Sequence, residues 1–390
     1  MTDAKKDKPE KPSRDRPDKS GKRDKPEKES KNGKNSKNGK TSKNAKKGRR
    51  RGKKLRVLLI CHETLVPPLD AKGMSDKEFL DVKTEYDVAA AIEALGHEIQ
   101  VLGLHDQLTP LRTAVEEWKP HVVFNLLNEF CGKDVYDAHV PAYLELLGVP
   151  YTGCNPRGLV LSRDKALSKK IMLYHRIPVP RFVVVPRQHK LRRNAKVIYP
   201  AIVKSLNSEG SAGISQSSLV QDEKSLAERV AFVHRELNTD AIVEQFIDGR
   251  EVYASVLGNR RLTVLPTWEI FLDKMPDDAV RIATSSAKWD LDYQKRHDIR
   301  VGRAKDLDPK AEAYIARVAK RICRSLSLDG YIRIDFRLRE DGVPFCLEAN
   351  PNPDIQYGDE IAGAAEAAGI EYEQLIQKVI NLGLSRARYE

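Results

Sequence analysis

Apolar positions recur along the chain at two spacings, and the switches between them mark the elements. Val57-Leu58-Leu59-Ile60, entered from Arg56, is a short apolar run that reads as a buried strand. Over Glu85–Leu95, residues Tyr86, Ala89, Ala90, Ile92 and Leu95 recur at helical spacing, and Gly96 follows as a terminator. The pattern continues as strand Glu98–Leu102, helix Thr109–Trp118, strand His121–Leu126 and helix Val140–Leu147, closed by Gly148. Strands alternating with helices predict a parallel α/β sheet. No G-x-G-x-x-G follows the first strand, so no dinucleotide site is expected.

A smaller α+β unit is expected next. It holds helix Leu161–His175 with Asp164-Lys165 in its first turns, strands Arg181–Val185 and Ala201–Ser205, and a small-residue loop over 207–214. Helix Lys224–Leu237 and the run Ala241–Phe246 complete it. The last part contains segments Glu251–Leu257 and Leu262–Trp268, a helix around Ala311–Leu326, two runs Tyr331–Arg339 and Val343–Asn350, and helix Tyr372–Leu382.

Composition changes abruptly at Leu55. Residues 1–54 hold 23 Lys+Arg and 8 Asp+Glu, a net charge of +15, with no aromatic residue. Residues 55–390 hold 45 basic and 48 acidic residues, so the overall +12 belongs to the tail. Such a tail buries too little apolar surface to offset its ordering entropy, and disorder is expected. It reads either as a solubilising segment or as a nonspecific contact for nucleic acid or another polyanion, without a base-stacking platform. The remaining 336 residues exceed what one core organises. No run of 18 apolar residues suits a membrane span. Cys61, Cys131, Cys154, Cys323 and Cys346 lack paired spacing, which suggests reduced thiols in a cytoplasmic protein.

Asp341-Gly342 between the runs at 331–339 and 343–350 is a hairpin signal. Ile332, Ile334, Phe336 and Leu338 share one face of its first strand, and Arg333, Asp335 and Arg337 share the other. On the second strand Phe345, Leu347 and Ala349 are apolar, with Glu348 and Asn350 pointing the opposite way. A two-residue turn pairing Glu340 with Val343 sets Asp335 opposite Glu348 and Arg333 opposite Asn350. Facing carboxylates repel. Either they are solvated surface charges or a cation lies between them, and Asp, Glu and Asn are the hard oxygen donors that suit magnesium beside a phosphate.

Three further pieces are weak alone. The loop with Glu209, Gly210, Ser211 and Gly213 offers backbone amides and hydroxyls that can wrap a polyphosphate, with Lys204 just upstream, although an ordinary turn reads the same way. It is not a G-x-x-x-x-G-K-[ST] loop. Glu244 and Glu251 flank Phe246 and Ile247, a set able to hold adenine and ribose or simply to lie on a surface.

In order, these pieces resemble the ATP-grasp superfamily, most closely the D-alanine–D-alanine ligases, over about residues 55–384. The phrases 120–125 and 144–153 are similar to the ligases' first domain and its exit. Asp164-Lys165, Lys204 with 209–214, Glu244 through Glu251, Ala287-Lys288-Trp289, Arg333-x-Asp335 and Glu348-x-Asn350 follow in register. The resemblance implies a three-domain ATP-grasp architecture of α/β and α+β units. It comprises the tail (1–54), a Rossmann-like N-terminal domain (55–153), a central small domain (154–242) and a C-terminal domain with the metal site (243–390). It implies ATP-dependent joining of a small amino-acid-like carboxylate and an amine through an acylphosphate. Lys165, Lys204 and the loop would hold the nucleotide, Lys288 would reach the transferred phosphate, and Arg333 would stabilise the oxyanion. Asp335, Glu348 and Asn350 would hold two magnesium ions, a set that also admits manganese. A homodimer is kept as a candidate assembly. The runner-up reading is an ATP-binding regulator or adaptor docking on a polyanion through its tail.

The match departs where substrate is chosen. The ligases' glycine-rich turn and Ser-x-Glu segment are replaced by Cys61-His62-Glu63-Thr64-Leu65-Val66-Pro67-Pro68, leaving Glu63, Glu78 or Glu85 to hold a substrate ammonium. Trp289 replaces a tyrosine, and Pro351-Asn352-Pro353-Asp354 replaces a Ser/Thr-Pro-Gly turn.

Overall fold

The computed structural model describes residues 53–386, apart from 69–71, 188, 190–195, 209 and 277–278. The readings placed on residues 1–52 and on Glu209 lie outside the described residues.

Arg56–His62 is the centre of a parallel sheet, between Glu98–Leu104 and Val122–Asn125. Its residues alternate between two cores. Val57, Leu59 and Cys61 pack with Val88, Ala91 and Ile92, while Leu58 and Ile60 pack with Leu111, Ala114 and Leu144. Burial on both faces is why the strand reads as an unbroken apolar run. The first helix spans Asp76–Ala94, beginning nine residues before the expected Glu85. The start signal is a capping box, in which Ser75 and Glu78 each satisfy the other's backbone N–H. The chain's last helix, Tyr372–Arg386, returns to this sheet, placing Leu375, Ile376, Val379 and Ile380 in the core with Val57 and Leu59. The expected C-terminal domain therefore closes the N-terminal core.

The expected helix Leu161–His175 is two helices, Pro156–Arg163 and Lys165–Tyr174. Asp164 breaks them with extended backbone, and its carboxylate accepts from the N–H groups of Ala166 at 2.8 Å and Leu167 at 2.9 Å. Lys165 is thus the first residue of a capped helix rather than part of a continuing one. The four-stranded antiparallel sheet runs Phe182–Val185, Ala241–Gln245, Ala201–Ser205, Leu219–Val220, covered by Glu223–Glu236. Ala241–Gln245 crosses the expected division at 242/243 and belongs wholly to this sheet.

The six-stranded sheet is built around Arg250–Gly258, which pairs with Gly330–Leu338 and Trp268–Phe271. The segment 262–268 resolves into Thr263–Val264 and the start of Trp268–Phe271. The hairpin carries two departures from the expected geometry, and they cancel. Its turn has three residues, closed by Arg339 N–H to Val343 carbonyl at 3.1 Å, with Gly342 at φ +79°. A bulge then leaves Leu347 without a partner opposite it, so Asp335 still faces Glu348 and Arg333 still faces Asn350. The bulge also changes the face: Ala349 enters the core with Ile332, Ile334, Phe336 and Leu338 as expected, but Cys346 joins it there in place of Phe345 and Leu347. Among the described residues no helix is long and apolar enough to cross a membrane.

Candidate active site

The site face of the hairpin and the central sheet open onto one cleft of about 740 Å³, part of it open to solvent. Lys165, Lys204, Ser211, Glu244, Phe246, Ile247, Glu251, Lys288, Asp335 and Glu348 all line it. Gly210, Gly213, Arg333 and Asn350 flank it without lining it.

Each lysine has a specific seat. Lys165 Nζ donates to the Ser208 carbonyl at 2.6 Å and lies 3.5 Å from Glu348 Oε2. It therefore ties the hairpin's second strand to the small-residue loop. Lys204 Nζ donates to Glu244 Oε2 at 3.0 Å, and the other oxygen of Glu244 lies 3.1 Å from Lys169 Nζ. Burial pushes the Glu244 carboxyl up, but Lys169 and Lys204 outweigh it and hold it below the usual carboxylate range. Lys169 is itself fully buried and also donates to the carbonyl of the bulged Leu347. Sequence reasoning missed it. The available signal was its position four residues after Lys165 on the same helix face.

Arg333 grips Asp335 with both arms of its guanidinium, Nε to Oδ1 at 2.9 Å and Nη2 to Oδ2 at 3.2 Å, and reaches Glu360 at 3.4 Å. Arg337, two residues after Asp335 and on the same face, donates to the Gly249 carbonyl at 2.9 Å and the Arg281 carbonyl at 2.6 Å. Its guanidinium lies 5.4 Å from the Phe246 ring centre, so it buttresses the wall that Phe246 and Ile247 form. Neither Arg337 nor Glu360 carried a role in the sequence.

The carboxylates are unequal. Burial alone would raise Glu348, but Lys165, Lys288, Lys204 and Arg333 pull it well below the usual range. Burial raises Asp335, and Glu348 adds to the rise against Arg333 and Lys288. Asn350 Nδ2 is buried without a hydrogen-bond partner, and its carboxamide stands beside this pair along the same face.

The loop is fastened at both ends. Gly210, Ser211 and Gly213 have φ of +64°, +60° and +69°, a run that turns backbone amides together. Trp289 Nε1 donates to the Gly210 carbonyl at 2.8 Å, and Arg229 donates to the Gly213 carbonyl. Gly213 suits its left-handed backbone, and a Cβ there would fall 2.6 Å from Leu237 Cδ1, so that side chain would have to shift.

The three glutamates left open by the sequence differ sharply. Glu63 is exposed, and Glu78 is exposed and spent on capping Ser75. Glu85 is 4% exposed. Burial, with Asp354 nearby, pushes its carboxyl up to about 7. Its helix also holds the segment after the hairpin: Thr84 Oγ1 donates to Asp354 at 2.8 Å, and Lys83 Nζ to the Tyr357 carbonyl at 2.8 Å.

Residues 171–381 match the family model described as "D-ala D-ala ligase C-terminus". A D-alanine–D-alanine ligase of Pelotomaculum thermopropionicum is 30% identical over 267 residues, 65% of this chain and 78% of that protein. Another, of Oleidesulfovibrio alaskensis, is 30% identical over 339 residues, 85% of this chain and 97% of that protein. Among solved structures, D-alanine–D-alanine ligase from Bacillus anthracis complexed with ATP superposes with a TM-score of 0.64. It covers 86% of this chain and 99% of its own at 21% identity, a likeness of fold alone.

Proposed function

The chain belongs to the D-alanine–D-alanine ligase family, which makes it an ATP-dependent ligase forming a C–N bond on the ATP-grasp fold, and we propose that it joins the carboxylate of one amino-acid-like substrate to the amine of another through an acylphosphate. What supports the reading is the convergence of Lys165, Lys204, Lys288, Asp335 and Glu348 on one cleft. In the first step a carboxylate oxygen attacks the γ-phosphorus and ADP leaves. In the second the amine attacks the acyl carbon, phosphate departs with the C–O bond, and the nitrogen loses a proton.

The residues divide that work by chemistry. Lys165 and Lys204 are suited to the nucleotide phosphates, and Lys288 to the phosphoryl group in transit. Phe246 and Ile247 offer ring contact, Glu251 a ribose acceptor, and Glu244 lone pairs beyond those engaged by its two lysines. Asp335, Glu348 and Asn350 fit a hard divalent cation: two facing acids, one held ionised, with a carboxamide alongside. We assign them to magnesium, two ions with manganese as a substitute, which when bound neutralises charge on the phosphates. Arg333, on the same face, is suited to the oxyanion of the second step.

The departures at 61–68, Trp289 and 351–354 fall where substrate is chosen, so D-alanine stands as one candidate beside other amino-acid-like substrates. Of the three glutamates, Glu85 is the one whose surroundings call for a cation, being buried beside Asp354. An ammonium set there would relieve both acids. Three domains near 55–153, 154–242 and 243–390 remain the proposal, with the central sheet running to Gln245. The basic tail would contact a polyanion; deleting 1–54 should abolish salt-dependent binding and spare turnover of small substrates, and a large loss of turnover would tie the tail to the site.

The deciding experiment screens amino-acid pairs for ADP release and reads the product by mass. A pair yielding ADP, phosphate and a condensed product establishes the reaction. ATP binding without ADP release for any pair removes it and leaves the regulatory reading.

A further inference from the structure

The carboxyl ends of the three parallel strands carry a cluster that the ligase chemistry does not use. His62 ends Arg56–His62, His105 follows Glu98–Leu104, and Glu129 lies in the loop after Val122–Asn125. Register pairs His62 with Leu104, which brings the two imidazoles side by side. His62 Nε2 lies 3.0 Å from His105 Nδ1 and 3.4 Å from Glu129 Oε1, and the three donor atoms all fall within 4.8 Å of one another. None of the three lines the nucleotide cleft.

We propose that His62, His105 and Glu129 bind a divalent transition-metal ion, zinc by their donor set, at a second metal site. Two imidazoles and one carboxylate are a recurrent zinc triad, and magnesium disfavours imidazole. The separations from His62 fit: bonds of about 2.0–2.1 Å in a tetrahedron set donors about 3.3 Å apart, against 3.0 Å to His105 and 3.4 Å to Glu129. The cluster is ordered from behind. Thr64 holds the His62 ring through Nδ1, with its Oγ1 at 2.8 Å and its backbone N–H at 3.3 Å, which turns Nε2 toward His105 and Glu129. Cys131 N–H donates to the His105 carbonyl at 2.9 Å, and Phe130 and Lys133 bridge the loop that carries Glu129. The side chains of His62 and Glu129 are 18% and 35% exposed, so an ion can enter from solvent. Bound there, it joins the loops that follow all three strands, including the 61–68 segment that departs from the D-alanine ligases.

The test uses the full chain, stripped with chelator and titrated with zinc chloride in excess magnesium, so that the carboxylates of the cleft are occupied. The tail contains no histidine or cysteine to compete. One zinc per chain is expected, with a thermal midpoint that rises with zinc. His62→Ala and His105→Ala should each weaken binding about 100-fold or more, and Thr64→Val about 10-fold. Glu348→Gln should leave zinc binding unchanged. Should the alanine variants fail to fold, Glu129→Gln and the visible bands of four-coordinate cobalt in the wild type give the same answer. Zinc binding that survives both histidine substitutions, is lost in Glu348→Gln, or never becomes tighter than millimolar in the wild type overturns the site and leaves a hydrogen-bonded His–His–Glu cluster.

Discussion

Asp335 and Glu348 face each other across the hairpin, yet their carboxyls move in opposite directions. Three lysines and Arg333 hold Glu348 ionised against its burial, while burial and Glu348 itself raise Asp335. Like charges set directly opposite weaken a sheet. Here the surrounding cations stabilise one charge and Arg333 holds the other, which is how the sheet carries two acids in register.

Replacing Glu348 with Gln removes one charge from that pair without changing its shape. On the proposed metal site, turnover should fall at least about 100-fold, since a ligand charge of that site is lost. The circular dichroism spectrum should be unchanged, because the hairpin's core face is intact. ADP release at matched magnesium is the readout, and near-normal rates would remove Glu348 from the metal site.

Lys169→Met tests the clamp on Glu244. Lys169 and Glu244 are 0% and 2% exposed, and removing one member strands part of a buried charge. A loss of about 3 kcal/mol is expected, at the low end for a broken buried pair because Lys204 remains. Adding Glu244→Gln should lower stability further, because Lys204, 3.0 Å from Glu244 Oε2, then loses its carboxylate partner as well. Denaturant midpoints of the two variants settle it, and a single-variant loss below about 1 kcal/mol would make the clamp structurally minor.

The hairpin shows what was legible in the sequence and why. Alternation along Gly330–Leu338 assigned Arg333, Asp335 and Arg337 to one face, because a strand has only two faces. The second strand could not be read so directly. Its bulge at Leu347 is set by the longer turn and by Lys169 on a distant helix, and neither leaves a local mark. The same holds for chain crossings: helix Tyr372–Arg386 is plainly amphipathic, but nothing in it names the N-terminal sheet as its partner. Asp164, by contrast, was misread although its signal was local, since an Asp before Lys-Ala-Leu is an N-cap.

Glu85 gives stability a pH dependence. Its folded value of about 7 lies above the ordinary 4.5, so the native state holds the proton more tightly than the unfolded chain. The associated stability is full below about pH 4.5 and is lost as pH rises through about 7. At pH 8 the loss approaches about 3 kcal/mol. Glu85→Gln should therefore raise the melting temperature at pH 8 and change it little at pH 5. On the proposed seat for a substrate ammonium beside Glu85, the same variant should also raise the KM of one amino-acid substrate, and an unchanged KM for every substrate would remove that seat. Equal melting shifts at both pH values would mean that Glu85 stays charged in the folded protein.

Trp289→Phe probes closure of the loop at 207–214. The indole N–H to Gly210 carbonyl bond is the contact this tryptophan makes with the loop's left-handed run, and it sits in a largely exposed ring. A bond of that kind contributes at most about 1 kcal/mol, a factor of roughly 5 in the closed population. Phenylalanine keeps an aromatic ring at the site and deletes the donor. An opened loop admits water to the acylphosphate, so ADP formed per molecule of condensed product should rise by up to about 5-fold while ATP affinity changes less. Measuring ADP and product in the same reaction gives the ratio directly. If the ratio holds at its wild-type value while overall turnover falls, Trp289 positions Lys288 one residue before it rather than the loop, and water exclusion rests on Arg229 and Lys165 instead.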